Sequence, residues 1–266
     1  MGDLTDRSYV RKQYNDGRNL EARIRLHRDF SVNPTNPNHA MLDQLRLSGN
    51  GRVLELGCGP GHFWRDNRGR WPKGWQIVAT DLSPGMVAEA VAALFAEPRF
   101  AGAAVDAQAI PFADATFAVV MANFMLYHVP DRPRALVEIQ RVLRPGGRFI
   151  AATLGRGHLA ELRDLVVRFN PTTPAAYLAQ SDHFLLENGA AQLAPFFAAV
   201  QVERQANALH ITEVEPLLAY YQSWPSYRTA LAGRETAFAQ FITNEIASHG
   251  AIRVAKEIGW FTAQRP

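Results

Sequence analysis

A glycine-rich turn directly after an apolar segment is the first feature of the sequence that could do chemistry. The segment Val53 to Gly61 reads V-L-E-L-G-C-G-P-G and runs from a predicted strand into a predicted helix. Glycines let the backbone turn sharply and let a ligand approach closely, because they carry no Cβ. A dinucleotide fingerprint would place another glycine where this sequence has His62. The turn therefore predicts a ligand bound without a pyrophosphate cradle.

Two acidic residues follow the turn, each at the end of another predicted strand. Asp81 closes the second strand in A-T-D-L-S-P-G-M, where its carboxylate could accept two hydrogen bonds from a ribose diol. Helix capping by Asp81 is disfavoured, because Ser83 followed by Pro84 is the better N-cap. Asp106 lies in D-A-Q-A-I-P-F at the next strand end, and its place in this order favours contact with an adenine amino group.

These residues need a sheet to position them, and the chain between residues 50 and 154 alternates strand and helix. Such alternation predicts βαβ units and a mainly parallel sheet. The strand candidates are Arg52–Leu56, Gln76–Thr80, Ala103–Val105, Phe117–Ala122 and Arg148–Thr153, with helices at Gly61–Arg68, Gly85–Phe95 and Arg132–Val142. The loop Asn123–Asp131 follows the fourth strand and is expected to face the ligand crevice.

The segments outside this region have a different pattern. Residues 3–30 and His39–Leu47 read as polar helices separated by the turn-rich Ser31–Asn38. After Leu154 the sequence predicts helices at 155–180 (interrupted by prolines), Leu185–Phe197, Glu215–Gln222 and Arg234–Ser248, and strands at Val200–Arg204, Leu209–Thr212 and Ile252–Ala263. We therefore divide the chain into a helical lid (1–48), a ligand-binding core (49–154), and a segment (155–266) that adds cap helices and completes the same domain.

The ordered set of motifs resembles a known family. E-L-G-C-G-P-G, T-D-L-S-P-G-M, D-A-Q-A-I-P-F, N-F-M-L-Y-H-V and L-R-P-G-G are together similar to the class I S-adenosylmethionine-dependent methyltransferases of the ubiquinone-biosynthesis-like type (methyltransferase type 11 domain), in their small-molecule or natural-product branch. The resemblance covers about residues 50–154. It implies an α/β, Rossmann-like seven-stranded sheet of order 3-2-1-4-5-7-6, with Ile252–Ala263 as an antiparallel strand 7.

The resemblance also implies the cofactor and its contacts. The cofactor would be S-adenosyl-L-methionine, with S-adenosyl-L-homocysteine as product. The glycines of the turn would lie under its methionine part, Asp81 would hold the ribose, and the remaining contacts would surround adenine and the methionine moiety. The implied cofactor-binding residues are Tyr14, Gly57, Gly59, Gly61, Asp81, Leu82, Met86, Asp106, Ala107 and Asn123. Cys58 lies inside the turn, where packing is a better interpretation than a nucleophilic role.

The catalytic and acceptor sides are less defined by sequence. His128 follows strand 4 on the cofactor side and is the best placed general base, although a structural histidine bonded to a loop carbonyl is an equal alternative. Tyr9 and His27 could line the site, with a buried structural role favoured for His27. The predicted acceptor pocket is aromatic, which suits a hydrophobic or aromatic molecule, and consists of Tyr127, Tyr177, His183, Tyr220, Tyr221 and Trp224.

Composition narrows the class of partner. The chain has 266 residues, 47% of them hydrophobic and 20% charged, and a net charge of +3. Its 28 basic residues include three lysines, and the arginines are scattered rather than gathered into a basic face. A single cysteine and a charged N-terminus favour a cytoplasmic protein. We therefore predict a small-molecule acceptor, without nucleic acid, membrane or catalytic metal, and leave open whether the chain forms a homo-oligomer.

Three other functions remain as alternatives. An RNA or protein methyltransferase would need an added recognition domain or a coherent basic surface. A non-catalytic S-adenosylmethionine-binding partner protein is disfavoured by the substrate-side cap. A nicotinamide oxidoreductase is disfavoured by His62 in the turn.

Overall fold

A mixed seven-stranded sheet forms the centre of the molecule. The computed structural model describes Thr5 and residues 18–174 and 182–266. The strands are β1 (Gly51–Leu56), β2 (Trp75–Asp81), β3 (Phe100–Ala104), β4 (Phe117–Asn123), β5 (Leu143–Leu154), β6 (Ala198–Ile211) and β7 (Ile252–Gln264). Their order is β3-β2-β1-β4-β5-β7-β6, and β7 is antiparallel to both of its neighbours. The predicted fold class and strand order are confirmed.

The strands β1 to β5 are apolar because helices cover both faces of the sheet. Alternate residues of each strand enter two separate cores, as the period of two requires. On one face Leu54, Val120 and Phe149 pack with the helix that follows β4. On the other, Val53 and Ile77 pack with a group of tryptophans that includes Trp64.

The helices begin and end at residues that the sequence largely indicates. They are α1 (Arg18–Phe30), α2 (Pro37–Gln44), α3 (His62–Asp66), α4 (Pro84–Ala93), α5 (Arg132–Val142), α6 (Ala160–Phe169), α7 (Gly189–Leu193), α8 (Val214–Gln222), α9 (Pro225–Leu231) and α10 (Glu235–His249), with a 3-10 turn at Leu126–His128. Ser83 caps α4 by accepting a hydrogen bond from the Met86 amide, and Asp131 caps α5 by accepting one from the Arg134 amide. The predicted N-cap at Ser83 is confirmed.

Four elements differ from the sequence-based prediction. The two short strands predicted at Val200–Arg204 and Leu209–Thr212 are one long strand, because the polar residues between them lie on the exposed edge of the sheet and pair with β7. Only the middle of the predicted Leu185–Phe197 helix is helical, and Pro225 begins a helix of its own. Strand β3 ends at Ala104, one residue before the predicted end.

The hairpin β6–β7 extends beyond the carboxyl end of β5. Leu154 pairs with Ile258, and the β6–β7 pairing continues for six more residues of β7, to Ile252. Helix α1 packs on α8 and β6, and Ser31 forms a bridge with Leu209. A third core of Leu26, Leu162, Leu217, Tyr221 and Phe238, with their neighbours, joins these helices to the hairpin. The helices after β5 and at the N-terminus thereby cover the carboxyl ends of the parallel strands.

Within residues 18–174 and 182–266, no helix combines the length and the apolar character needed to cross a membrane.

Candidate active site

A cavity of about 630 Å³ lies at the carboxyl ends of the parallel strands. Ligand pockets commonly have volumes of about 300–1,000 Å³. One part of the wall, which we call the cofactor half, comes from the ends of β1 to β4 and contains Glu55, Gly57, Gly59, Asp81, Asp106 and Asn123. The other part, the acceptor half, comes from α1, the turn after β5, β7 and α8, and contains Arg23, His27, His158, Tyr220, Trp224 and Lys256.

The glycine turn forms part of the cofactor half because its backbone has positive φ angles. Gly57 has φ +71° and Gly59 has φ +52°, and both line the cavity. A Cβ on Gly57 would lie 2.7 Å from the Met125 Cβ, so that position also needs glycine for packing. Gly61 does not line the cavity: a Cβ there would lie 3.1 Å from the Ala90 Cβ, so Gly61 lets the turn pack on α4.

Asp81 at the end of β2 is held by the backbone of the turns beside it. Its carboxylate accepts hydrogen bonds from the Gly59 amide at 3.0 Å and the Ser83 amide at 2.8 Å. Burial raises the pKa of Asp81, and these backbone hydrogen bonds partly oppose the increase. Leu82 and Met86 line the cavity next to it. A carboxylate fixed by amides on one side keeps further lone pairs for a ligand.

Asp106 and Ala107 lie after β3 and also line the cavity. The Asp106 carboxylate accepts hydrogen bonds from the backbone amide and the side-chain amide of Gln108, each at 3.0 Å. The side-chain oxygen of Gln108 accepts a bond from the Asp131 amide at 3.1 Å. Gln108 therefore connects the loop after β3 to the loop after β4.

Glu55 is a cavity residue to which the sequence analysis assigned no role. Its carboxylate is buried and accepts hydrogen bonds from Trp64 Nε1 at 2.7 Å and Asn123 Nδ2 at 2.8 Å. Burial raises the pKa of Glu55 to about 7. The Asn123 side-chain oxygen is buried without a hydrogen-bond partner. The available sequence signal was an acid within the otherwise apolar strand V-L-E-L, because acidic side chains are rarely buried unless they are paired or functional.

The loop after β4 contributes Tyr127 and His128, and both line the cavity. Their rings contact each other edge to face, with centroids 4.6 Å apart. Cys58 is buried, and its thiol donates a hydrogen bond to the Gly59 carbonyl at 3.3 Å. Burial raises the pKa of this thiol, so the residue stays a neutral packing group, in agreement with the packing interpretation.

The predicted acceptor residues separate into two groups. Tyr220 and Trp224 line the cavity together with Tyr127. Tyr221 lies instead in the helical core, where its hydroxyl donates a hydrogen bond to the Leu162 carbonyl at 2.8 Å. It is the next residue of α8 after Tyr220, so its side chain lies on a different face of the helix from the one that lines the cavity. His183 is exposed, in a loop outside the cavity wall. Tyr9, Tyr14 and Tyr177 lie outside the described residues.

The acceptor half also contains two residues that the sequence analysis missed. His158 follows β5 and stacks on His27, with ring centroids 5.6 Å apart, which places His27 in the cavity wall as well as in the buried face of α1. Lys256 on β7 is 7% exposed and donates a hydrogen bond to Ser31 Oγ at 3.2 Å. The available sequence signal was a lysine within a predicted strand, in a chain whose basic residues are otherwise nearly all arginine.

Comparison with known proteins identifies the core of this site. Residues 54–151 match the family model described as "Methyltransferase domain". The predicted recognition of a class I methyltransferase domain is confirmed, and the matched residues contain the glycine turn, Asp81, Asp106 and the loop after β4.

Curated relatives and solved structures are consistent with this domain. A malonyl-[acyl-carrier protein] O-methyltransferase of Enterobacter lignolyticus is 39% identical over 115 residues, which are 42% of this chain and 42% of that protein. The chain thus matches less than half the length of this relative. A putative methyltransferase of Bacillus halodurans has a TM-score of 0.60 at 18% identity, over 86% of this chain and 98% of that one. A phosphoethanolamine N-methyltransferase of Haemonchus contortus, solved with S-adenosyl-L-methionine, has a TM-score of 0.59 at 21% identity, over 100% of this chain and 60% of that one.

Proposed function

We propose that this chain binds S-adenosyl-L-methionine in the cofactor half of the cavity and transfers the methyl group to a small molecule held in the acceptor half. The observation that carries the proposal is the single cavity: its wall joins Gly57, Asp81 and Asp106 to Tyr220 and Trp224. An enzyme of this type needs both reactants in one water-poor space, because positioning and desolvation are its main contributions.

The cofactor half suits this cofactor in charge and shape. Gly57 and Gly59 line the cavity with bare backbone at positive φ angles, so a ligand can lie directly against it. The buried carboxylate of Glu55 and the unpartnered oxygen of Asn123 are acceptors for a positively charged amino-acid moiety. Asp81, fixed by two amides, is a matching acceptor for a ribose diol.

The chemistry of the step is an in-line displacement, for which the cofactor supplies an activated methyl group on a sulfonium. The protein residues would align the acceptor, exclude water and, for an acceptor that carries a proton on the methylated atom, remove that proton. We propose His128 for this last role, because it lines the cavity from the loop after β4. Helix α1 covers the cavity with Leu20, Arg23 and Ile24, which supports the lid function that we assign to residues 1–48.

The deciding experiment measures binding before turnover. We expect S-adenosylhomocysteine to bind with micromolar or better affinity in isothermal titration calorimetry, and NADH not to compete. Absence of S-adenosylhomocysteine binding would refute the proposed function. Tight binding without transfer to any acceptor would instead favour the non-catalytic partner protein.

The acceptor is identified by measuring transfer of a labelled methyl group from S-adenosyl-L-methionine to each member of a panel of candidate acceptors. The relatives' name makes a malonyl thioester on an acyl carrier protein one member, alongside free aromatic and aliphatic acids, phenols and amines, with RNA and a protein mixture as the contrasting arms. We expect transfer to a small molecule or a carried small acyl group. Transfer confined to RNA or to protein side chains would contradict the small-molecule proposal.

The role of His128 is tested with His128→Asn, and His210→Asn on the exposed face of β6 is the control. With a hydroxyl or amine acceptor, we expect a loss of kcat of about 100-fold or more at unchanged S-adenosylhomocysteine affinity. We also expect loss of the acidic limb of the pH profile, in which protonation of the base lowers the rate. An unchanged kcat in His128→Asn would identify His128 as a structural residue.

A further inference from the structure

We propose that Lys256, flanked by His27 and His158, binds an anionic group of the acceptor, a carboxylate or a phosphate. This inference rests on the proposed function, because it concerns the acceptor half of the same cavity. It deepens that function by assigning the substrate class: a molecule with an oxyanion, rather than a neutral or cationic one.

The position of Lys256 follows from the register of the sheet. Leu154 is the last residue of β5 and pairs with Ile258, so Lys256 lies two residues beyond the end of β5, on the extended part of the hairpin. This extension carries Lys256 over the carboxyl ends of the parallel strands, where it lines the cavity. On the other side of β7, Lys256 pairs in register with Asn207 of β6.

Lys256 lacks a counter-charge in the part of the chain that the structure describes. Its ammonium donates to Ser31 Oγ at 3.2 Å, and no carboxylate of residues 18–174 or 182–266 forms an ion pair with it. Burial alone lowers its pKa. An ammonium has three donors, so two remain for a ligand, and a buried cation is stabilised strongly by an anion.

The two histidines form an uncharged polar wall beside this cation. Burial lowers the pKa of His27 to about 3 and that of His158 well below its usual range. Both rings keep a buried Nδ1 without a hydrogen-bond partner. Buried polar atoms in proteins are nearly always paired, so two orphan nitrogens on rings that line one cavity indicate that a polar ligand belongs there.

The charges that line the cavity are segregated. Its acids in the cofactor half are Glu55, Asp81 and Asp106. Two further acids line the cavity and are already engaged: Glu21 of α1 pairs with Arg28, and Asp66 accepts hydrogen bonds from Asn36 and Asn38. Apart from Glu21, the described residues of the acceptor half are not acidic. Of the other cations that α1 contributes, Arg28 pairs with Glu21 and Asp29, and Arg23 donates to Ser223 and lies 3.5 Å from the Trp224 ring centroid. Among the described residues of this half, Lys256 is therefore the buried cation with donors left for a ligand.

The test compares acids with their amides on the protein saturated with S-adenosylhomocysteine. Malonate, phenylacetate and inorganic phosphate are titrated calorimetrically, and malonamide and phenylacetamide are the neutral counterparts. We expect saturable binding of at least one anion and at least about tenfold weaker binding of the matching amide. Whether a carboxylate or phosphate binds more tightly distinguishes the two sources of the oxyanion.

The variants assign this binding to one side chain. We expect Lys256→Met to bind the anion at least about tenfold more weakly and Lys256→Arg to retain part of the affinity. The control Lys73→Met removes an exposed lysine and should bind the anion as the original protein does. Binding of S-adenosylhomocysteine shows that each variant is folded.

Three results would overturn the inference: amides that bind as tightly as acids, anion binding unaffected in Lys256→Met, or no anion binding by a protein that binds S-adenosylhomocysteine normally. The acid and amide comparison needs no variant, so it decides the inference even where Lys256→Met does not fold. Loss of S-adenosylhomocysteine binding in the original protein would instead be the failure of the proposed function.

Discussion

The two halves of the cavity both bury ionisable groups, but they bury groups of opposite kinds. The cofactor half contains carboxyl groups, and burial raises the pKa of Glu55 and of Asp81. The acceptor half contains bases, and burial lowers the pKa of His27, His158 and Lys256. The same cause, loss of hydration of the charged form, thus acts in opposite directions on the two sides.

The halves also differ in how their polar groups are satisfied. Glu55, Asp81 and Asp106 each accept at least two hydrogen bonds from the protein. The imidazoles of His27 and His158 each keep an orphan nitrogen. The carboxylates of the cofactor half are therefore held by the chain itself, and the Asn123 side-chain oxygen is an orphan beside them, whereas both imidazoles of the acceptor half keep an orphan atom. Four measurements sharpen or break this comparison.

The largest effect is expected for the stability of the acceptor half in acid. The folded-state pKa of His27 is about 3, below its unfolded value of 6.5. The contribution of neutral His27 to the free energy of unfolding is therefore full above pH 6.5 and is lost as pH falls toward 3. Against His27→Gln, the free energy of unfolding of the original protein should fall by about 3 kcal/mol more between pH 7 and pH 4. His158 and Lys256 face His27, and they are present in both proteins. Denaturant titrations measure the difference, with His210→Gln as control; parallel curves for His27→Gln and the original protein would contradict it.

The cofactor half should have the opposite dependence on pH. The folded-state pKa of Glu55 is about 7, above its unfolded value of 4.5, so its contribution is full below pH 4.5 and is lost as pH rises through 7. Without ligand, the original protein should lose about 2.5 kcal/mol relative to Glu55→Gln between pH 5 and pH 8. Glu213→Gln, at an exposed acid, is the control. If the original protein instead became more stable than Glu55→Gln as pH rises, the raised pKa of Glu55 would be contradicted.

Asp81→Asn is expected to weaken cofactor binding. An amide at this position replaces a charged acceptor and directs an NH₂ group toward the Gly59 or the Ser83 amide. We expect S-adenosylhomocysteine affinity to fall about 30-fold, which corresponds to about 2 kcal/mol. Asp164→Asn makes the same change at an exposed position of α6 and should bind normally. Equal affinities of the two variants would exclude Asp81 as a ligand residue.

The smallest effect separates helical core from cavity wall. Tyr221→Phe removes the donor to the Leu162 carbonyl and should cost about 1 kcal/mol of unfolding free energy, while leaving acceptor turnover unchanged. The matched control is Tyr227→Phe, because the Tyr227 hydroxyl has no hydrogen bond within the described residues. This variant should lose less unfolding free energy than Tyr221→Phe. Altered acceptor specificity in Tyr221→Phe would instead indicate that Tyr221 contacts the acceptor, as predicted from the sequence.

The cofactor half was largely predictable, because its residues belong to local motifs. A glycine turn, an acid at a strand end and a capped helix each lie within a few residues of chain, and parallel strands bring their carboxyl ends together. Glu55 was missed because its role depends on Trp64 and Asn123, which are distant along the chain. Tyr220 and Tyr221 could not be separated, since only helix packing decides which neighbour faces the cavity.

The sequence by itself determined the domain type, the N-cap of α4 and the ordered set of strand-end residues, because these depend on periodicity, turn chemistry and motifs of neighbouring residues. The strand order was implied by the family resemblance that those motifs carry. Only the tertiary structure decided which residues form the acceptor half. His27, His158 and Lys256 lie on three elements far apart in sequence, and they meet because the β6–β7 hairpin extends past β5 and α1 packs beside it. A pocket built from long-range packing has no local pattern in the sequence, and its burial shifts the pKa values of these three groups.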